Sequence, residues 1–175
     1  MAGRDVSFIA SGTLKLAAGV SLEGAGSSTI LESESATVVA CADGALRISR
    51  LSIVQSSADA KEPCFGVEIR GRTLLEECHV SARCRAKNAC GVLARGSTAA
   101  PVLRACVIHD CGHAGVLLAS GARASLMHTS VSDCGGGGLL VLVGCQVEAQ
   151  GGSLSGCDAG AVAVVGRAVA TLAGL

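Results

Sequence analysis

The chain contains 175 residues, carries no formal net charge at neutral pH and has neither tryptophan nor tyrosine. That length predicts one domain or one stack of repeats. The balanced charge, with no run of basic residues, argues against a nucleic-acid-binding surface. No apolar run reaches about 18 residues, so no membrane span is predicted. Apolar residues make up 50% of the chain, and a core of small side chains is therefore expected.

The first part of the chain predicts short strands separated by turns. They are expected at residues 13–16, 20–24, 37–41 and 46–54. Almost no segment reaches ten residues without a glycine or a turn signal, which favours strands over helices. Two stretches break the pattern and are predicted to be loops that bulge from a corner of the fold. These candidate corner loops are the polar stretch 55–63 and the basic stretch 83–88.

Residues 101–147 show a repeating unit most clearly. A strand at 103–108 is followed by a turn at 109–115, a second strand at 116–118 and a bend at Gly121. The same order of strand, turn, strand and glycine bend returns 23 residues later. The repeat predicts that equivalent residues of successive units lie on top of one another.

Aligned in this way, apolar residues form columns with a period of 23 to 28 residues. One column contains Ile53, Val80, Ile108, Val131 and Leu154. A second contains Val67, Val92, Val116, Leu139 and Val162, and a third contains Ile69, Ala94, Leu118, Val141 and Val164. Successive bends are marked by Gly44, Gly71, Gly96, Gly121 and Gly144. Short strands that repeat at this spacing predict a parallel β-helix of six or seven coils, in which each coil pairs with the next.

The sequence also resembles a known family. Residues 19–26 and 29–31 look like the opening of pectin-lyase-like right-handed β-helices. The units from Leu75 onward resemble the repeats of carbohydrate-binding proteins and sugar hydrolases, and are closest to those of F-box-associated eukaryotic β-helix proteins. The shared Gly-Ile or Gly-Val step is matched by Gly66-Val67, Gly91-Val92, Gly115-Val116 and Gly138-Leu139. The resemblance implies an all-β, single-stranded right-handed parallel β-helix over residues 1–175, which we expect to be one domain of a longer polypeptide.

Cysteine replaces a polar residue that such repeats often carry. Those repeats commonly have asparagine at the ladder positions beside a turn. Here one column, later named the donor column from its contacts in the structure, holds Cys78, Cys106 and Thr129, and another, the thiol column, holds Cys111, Cys134 and Cys157. We therefore expect a small, largely apolar stack in place of a hydrogen-bonded asparagine ladder.

Disulfides and a metal site are the alternatives to buried thiols for the ten cysteines. Equivalent positions on adjacent coils come within disulfide range, but the first residues do not predict a secretion signal and three residues of one column cannot all pair. The cluster Cys106, His109, Cys111 and His113 suggests zinc, yet these side chains should alternate between the inside and the outside of the coil. We expect buried thiols, with no metal and no cofactor.

Asp110 and Asp133 are 23 residues apart, so both are predicted on one exterior turn, with Asp158 nearby. Paired carboxylates suit acid–base chemistry or glycoside hydrolysis. The histidines expected at the same corner are His109, His113 and His128. The alternative interpretation is structural, because aspartate is common in turns where it bonds its own backbone. The motifs of pectate-lyase-like and polygalacturonase-like enzymes are incomplete here, and aromatic platforms for sugar rings are scarce.

These observations favour a non-catalytic recognition or scaffold module that binds a protein partner through its faces and loops. The resemblance suggests an adaptor or ubiquitin-ligase type of role. The alternative is a carbohydrate-active enzyme, of polysaccharide lyase or glycoside hydrolase type, or a sugar-binding module. Its site would contain Asp110, Asp133, His109 and His113. Neither nucleic acid nor membrane is an expected partner. We also expect an intracellular protein that can self-associate through uncapped coil ends.

Overall fold

A computed structural model describes residues 6–57, 62–84 and 89–175, which form a parallel β-solenoid. Every strand pair in these ranges is parallel and joins one coil to the next. The strands lie on three faces, here named A, B and C, and each coil passes through them in the order C, A, B. Within these ranges there is no helix long and apolar enough to span a membrane.

Each face is a stack of short strands. Face A contains β3 (Ser21–Glu23), β6 (Ala45–Ser49), β9 (Arg72–Glu76), β12 (Val102–Arg104), the first halves of β15 (Arg123–Ser132) and β17 (Gln146–Ser155), and β19 (Val169–Ala173). Face B contains β1 (Val6–Ala10), β4 (Thr29–Ser33), β7 (Ser52–Gln55), β10 (His79–Ala82), β13 (Val107–Cys111) and the second halves of β15 and β17. Face C contains β2 (Leu14–Leu16), β5 (Thr37–Cys41), β8 (Phe65–Ile69), β11 (Cys90–Arg95), β14 (Val116–Ala119), β16 (Leu139–Val141) and β18 (Val162–Val164). In the described part of the chain, the seven-stranded face C corresponds to seven coils, which confirms the predicted fold class.

The register of the strands confirms the predicted apolar columns. On face B, Ile108 pairs with Val80 on one side and with Val131 on the other. On face C, Val116 pairs with Val92 on one side and with Leu139 on the other. These side chains are fully buried. Parallel strands that are covered on their inner side select such β-branched and leucine residues, and each coil buries its inner face only against its neighbours.

The predicted strand at 46–54 is in fact two strands. The chain turns from β6 on face A to β7 on face B at Arg50, whose φ is 58°. The equivalent residues Glu77, Ala105 and His128 also have φ between 50° and 53°. A single residue in the left-handed region therefore makes this corner, and it leaves no glycine or proline signal in the sequence. The prediction was wrong at this point because none of these residues marks a turn by its type.

The first candidate corner loop begins later than predicted. Strand β7 continues to Gln55, which is buried and whose Nε2 donates a hydrogen bond to the Ser35 carbonyl at 3.2 Å. Residues 58–61 of this loop lie outside the described residues, as do residues 85–88 of the second candidate loop. The basic character of the second loop is therefore known from its sequence alone.

Candidate functional site

The predicted aspartates lie at the corner where face B turns towards face C. Asp110 and Asp133 occupy equivalent positions on adjacent coils and have φ values of 52° and 54°. Gly156, at the same position of the next coil, has a φ of 62°. Aspartate is one of the few residues with a side chain that tolerates this left-handed backbone. The conformation of the turn therefore accounts for the residue type at both positions without any catalytic role.

One ion pair joins two of the predicted site residues. The Nδ1 atom of His109 lies 2.8 Å from Oδ2 of Asp110. The His109 side chain is 31% exposed and that of Asp110 is 56% exposed, so the pair is open to water. A histidine oriented by a carboxylate can accept a proton. In this position, however, the exposure of both side chains leaves the pair in contact with water.

The other predicted residues are arranged differently around the coil. The backbone N–H of His113 donates a hydrogen bond to the Ala89 carbonyl at 2.8 Å, and its ring packs against Gly136. Asp158 is bonded through its backbone N–H to the Cys134 carbonyl at 3.0 Å, so it lies in the predicted turn. His128 does not lie in this turn, because it occupies the left-handed corner between faces A and B. Its predicted place beside Asp133 was wrong, because the whole width of face B separates the two corners.

His79 joins this region although the sequence analysis missed it. It begins β10 on face B, next to β13, which carries His109. Partial burial, followed by the charge of His109, lowers the pKa of His79. A charge on His109 therefore disfavours protonation of His79. The two histidines do not complete a catalytic arrangement with Asp110. The one feature of the sequence that could have pointed to His79 is its position at the start of strand β10.

No group of three or more histidine, cysteine, aspartate or glutamate residues is arranged to hold a metal ion in the described ranges. The zinc alternative at Cys106, His109, Cys111 and His113 therefore has no supporting geometry. Cys106 and Cys111 are buried in the interior, whereas His109 points outward. Side chains alternate from Val107 to His109, and the left-handed Asp110 then breaks the alternation, so that Cys111 points inward.

The donor column at the corner between faces A and B is hydrogen-bonded rather than purely apolar. The Cys78 thiol donates to the Ile48 carbonyl at 3.5 Å, and the Cys106 thiol donates to the Leu75 carbonyl at 3.5 Å. Thr129 Oγ1 donates to the Leu103 carbonyl at 3.1 Å and lies 3.4 Å from the Cys106 backbone N–H, whose hydrogen bond it accepts. Each side chain thus reaches back to a carbonyl of the preceding coil. Cys78 and Cys106 also belong to the interior hydrophobic cluster, as expected of a largely apolar stack, and their thiols lie 3.4 Å from the Glu76 and Arg104 carbonyls of their own coil. The departure from the expectation is Thr129, whose hydroxyl adds a conventional hydrogen bond between coils.

Substitution of Thr129 tests this column. We expect Thr129→Val to lower the free energy of unfolding by about 1–2 kcal/mol, since the isosteric valine leaves a buried carbonyl and a buried N–H without their partner. Thr129→Cys restores the side chain found at Cys78 and Cys106 and should cost less than half as much. Urea unfolding followed by far-ultraviolet circular dichroism measures both. Equal losses in the two variants would contradict a donor role for the column.

Face C carries an apolar stack that faces outward and that sequence periodicity did not reveal. Leu93, Leu117 and Leu140 pair with one another on β11, β14 and β16. Each lies between two inward residues and therefore points away from the interior. Leu117 and Leu140 are half-buried, and Leu93, although largely covered, lies outside the interior cluster. We call these three residues the leucine stack.

An ion-pair cluster borders one end of the leucine stack. Glu68 pairs directly with Leu93 across the strands, and its side chain is 12% exposed. Its Oε1 lies 3.0 Å from Nε of Arg70 and 2.7 Å from Nε of Arg95. At the other end, Leu140 pairs with Ala163 of β18, which is half-buried. A row of outward apolar residues on a sheet, with fixed charges at one end, differs from the concave pockets that bind small molecules.

Comparison with known proteins agrees with this architecture. Residues 9–172 match the family described as the right-handed β-helix region. The chain belongs to this right-handed β-helix family. No curated protein and no solved structure matched the chain. The family match covers all seven coils of this β-helix and therefore identifies the fold and its handedness. The leucine stack and the His109–Asp110 pair are known from the geometry alone.

Proposed function

We propose that this β-helix is a non-catalytic recognition module that binds a protein partner through face C. The leucine stack carries the proposal. Leu93 is only 5% exposed, so the accessible part of the stack is formed by Leu117 and Leu140, which are half-buried. In protein–protein contacts a few such apolar anchors and arginines supply most of the binding energy. The Glu68 cluster, with Arg70 and Arg95 each about half exposed, offers polar groups at the rim that would orient the partner.

The resemblance to F-box-associated β-helix proteins supports the same role. An adaptor of that kind holds a partner rather than transforming a substrate, and an intracellular location would suit it. The arrangement of candidate acids and bases points the same way, because the His109–Asp110 pair is open to water. A catalytic base works best in a site that excludes water and holds the reacting atom within hydrogen-bond reach.

The proposal is tested by replacing the apolar anchors while keeping their length. We expect Leu117→Gln combined with Leu140→Gln to weaken binding of a protein partner by at least about tenfold, because desolvated leucine contacts are lost. The matched control is Val102→Gln, which replaces a half-buried, outward-facing residue on face A. Partners are captured from lysate with the unaltered chain, identified by mass spectrometry and then titrated against each variant.

Two controls make the result interpretable. Circular dichroism must show that the double variant keeps its β-sheet content. The Val102→Gln protein must bind as tightly as the unaltered chain. A partner that binds equally well to all three proteins would contradict face C as the binding surface.

A carbohydrate-active function remains the second candidate, and the His109–Asp110 contact of 2.8 Å is the observation that favours it. A glycan array and an assay on polyuronides test it directly. Asp110→Asn together with Asp133→Asn should abolish turnover if these carboxylates act as acid and base. Binding of a protein partner that is unchanged in this double variant, with no glycan signal, would support the recognition module.

A further inference from the structure

The thiol column runs along the interior of the corner between faces B and C. Cys111, Cys134 and Cys157 lie at equivalent positions on three successive coils, and each thiol donates a hydrogen bond to the carbonyl two residues before it, at 3.3–3.4 Å. Cys111 and Cys134 are buried, whereas Cys157 on the last coil is half-buried. The three cysteines of the column are present as thiols. The column therefore extends from the interior towards solvent, with its exposed end at Cys157.

The spacing of the column suits a covalent bond. Adjacent coils of a parallel β-sheet lie about 4.8 Å apart, which falls within the range of about 4.4–6.8 Å between Cα atoms that a disulfide spans. The neighbouring glycines leave room for the sulfur atoms. A Cβ atom at Gly115 would lie 3.3 Å from Sγ of Cys134, and one at Gly138 would lie 3.3 Å from Sγ of Cys157. The two sulfurs are thus held side by side against glycine backbone.

We propose that Cys134 and Cys157 form an oxidant-responsive dithiol site, in which Cys157 reacts first with hydrogen peroxide and Cys134 then closes a disulfide between the last two coils. Nothing in the recognition of a protein partner requires this site, so it stands independently of the proposed function.

The chemistry proceeds in two balanced steps. In the first, the Cys157 sulfur attacks peroxide, an S–O bond forms while the O–O bond breaks, and one water leaves, which gives a sulfenic acid. In the second, the Cys134 sulfur attacks the oxidised sulfur of Cys157, the S–S bond forms and the S–O bond breaks, and a second water leaves. Overall, two thiols lose two electrons and two protons to peroxide.

The surroundings of Cys134 prepare it for the second step. Hydrogen bonding with the neighbouring Cys111 thiol lowers the pKa of Cys134 to about 7, although burial opposes this effect. Burial raises the pKa of Cys157. Cys157 is nevertheless the sulfur of the pair that peroxide reaches first, because it is half-buried whereas Cys134 is buried. The residue that resolves the sulfenic acid is therefore the one whose thiolate forms most readily.

Peroxide titration with disulfide mapping tests the proposal. The native chain is treated with hydrogen peroxide, alkylated in denaturant and digested with trypsin and a glutamate-specific protease. Cleavage after Arg123, Glu148 and Arg167 leaves Cys157 on a different fragment from Cys134 and Cys145. We expect one linkage between these fragments, a mass decrease of two hydrogen atoms per chain and reversal by dithiothreitol. The matched control Cys145→Ala removes the other cysteine of the fragment and should still give the linkage.

Two further variants separate the roles of the two sulfurs. Cys157→Ser should give no disulfide in this region. Cys134→Ser should leave a sulfenic acid on Cys157 that a dimedone probe captures. The unaltered chain oxidised in urea serves as the comparison, since unfolding removes any preference for one pair. A native disulfide mapped to Cys111 and Cys134, linkage only between chains, or over-oxidation of Cys157 without a disulfide would overturn the proposal.

Discussion

Replacement of Gly115 by alanine is expected to lower the free energy of unfolding by about 3 kcal/mol. Gly115 is buried at the start of a strand on face C, and an added Cβ would lie 2.8 Å from the Gly138 carbonyl oxygen of the next coil. It would also collide with Cγ1 of Val131, which is fully buried and cannot move aside. The clash is steric, because Gly115 is not in the left-handed region.

A neighbouring glycine provides the control for this prediction. A Cβ atom at Gly137 would find its nearest neighbour at 3.6 Å, which is an ordinary contact. We therefore expect Gly137→Ala to change the free energy of unfolding by less than about 1 kcal/mol. Urea unfolding must be followed by circular dichroism, since the chain has no tryptophan or tyrosine to report by fluorescence. Similar midpoints for the two variants would show that coils can move apart to accept a methyl group.

Ile108→Ala is expected to cost about 2–5 kcal/mol, through lost burial and the cavity that remains. Ile108 is fully buried at the centre of face B. It pairs with Val80 and Val131, and its Cγ2 fills the space beside Gly91. A coil touches only its two neighbours, so no other part of the core can collapse into the cavity. The measurement is again the urea midpoint.

The adjacent residue separates burial from strand propensity. Val107 lies on the same strand but points outward and is half-buried. Val107→Ala removes β-branching with little loss of core, and we expect it to cost about 1 kcal/mol. If Val107→Ala were as damaging as Ile108→Ala, the stability of face B would depend on strand propensity rather than on interior packing.

Inward-facing and outward-facing residues vary in different ways between the coils of this solenoid. Each coil supplies inward residues that are nearly interchangeable between coils, such as Val92, Val116 and Leu139. Outward residues differ from coil to coil, as the change from Glu68 to Leu93 at paired positions shows. A repeated interior keeps the fold while each outward position is free to vary. The leucine stack is therefore a property of particular coils and not of the repeat.

Sequence reasoning could not identify the leucine stack, because its leucines recur with the same period as the core residues and the core already accounts for that period. Leu117 and Leu118 are adjacent leucines, and only the pleat of β14 decides that one points outward and the other inward. The left-handed corners were missed for a related reason, since Arg50, Glu77 and His128 are not typical turn residues. Their backbone is held by pairing with the coils on either side, which no local pattern records.

By itself, the sequence determined the architecture: a period of 23 to 28 residues with apolar columns requires stacked parallel strands, and the positions Ile53, Val80 and Ile108 are paired in that order. It also placed Asp110 and Asp133 on one turn of adjacent coils. Only the tertiary structure decided which side chains meet. It places His128 at the corner between faces A and B, and it hydrogen-bonds Thr129 to the Leu103 carbonyl of the preceding coil. The physical reason is that a period fixes which residues are equivalent, whereas the direction of each side chain depends on the pleat and on the corner conformations set by neighbouring coils.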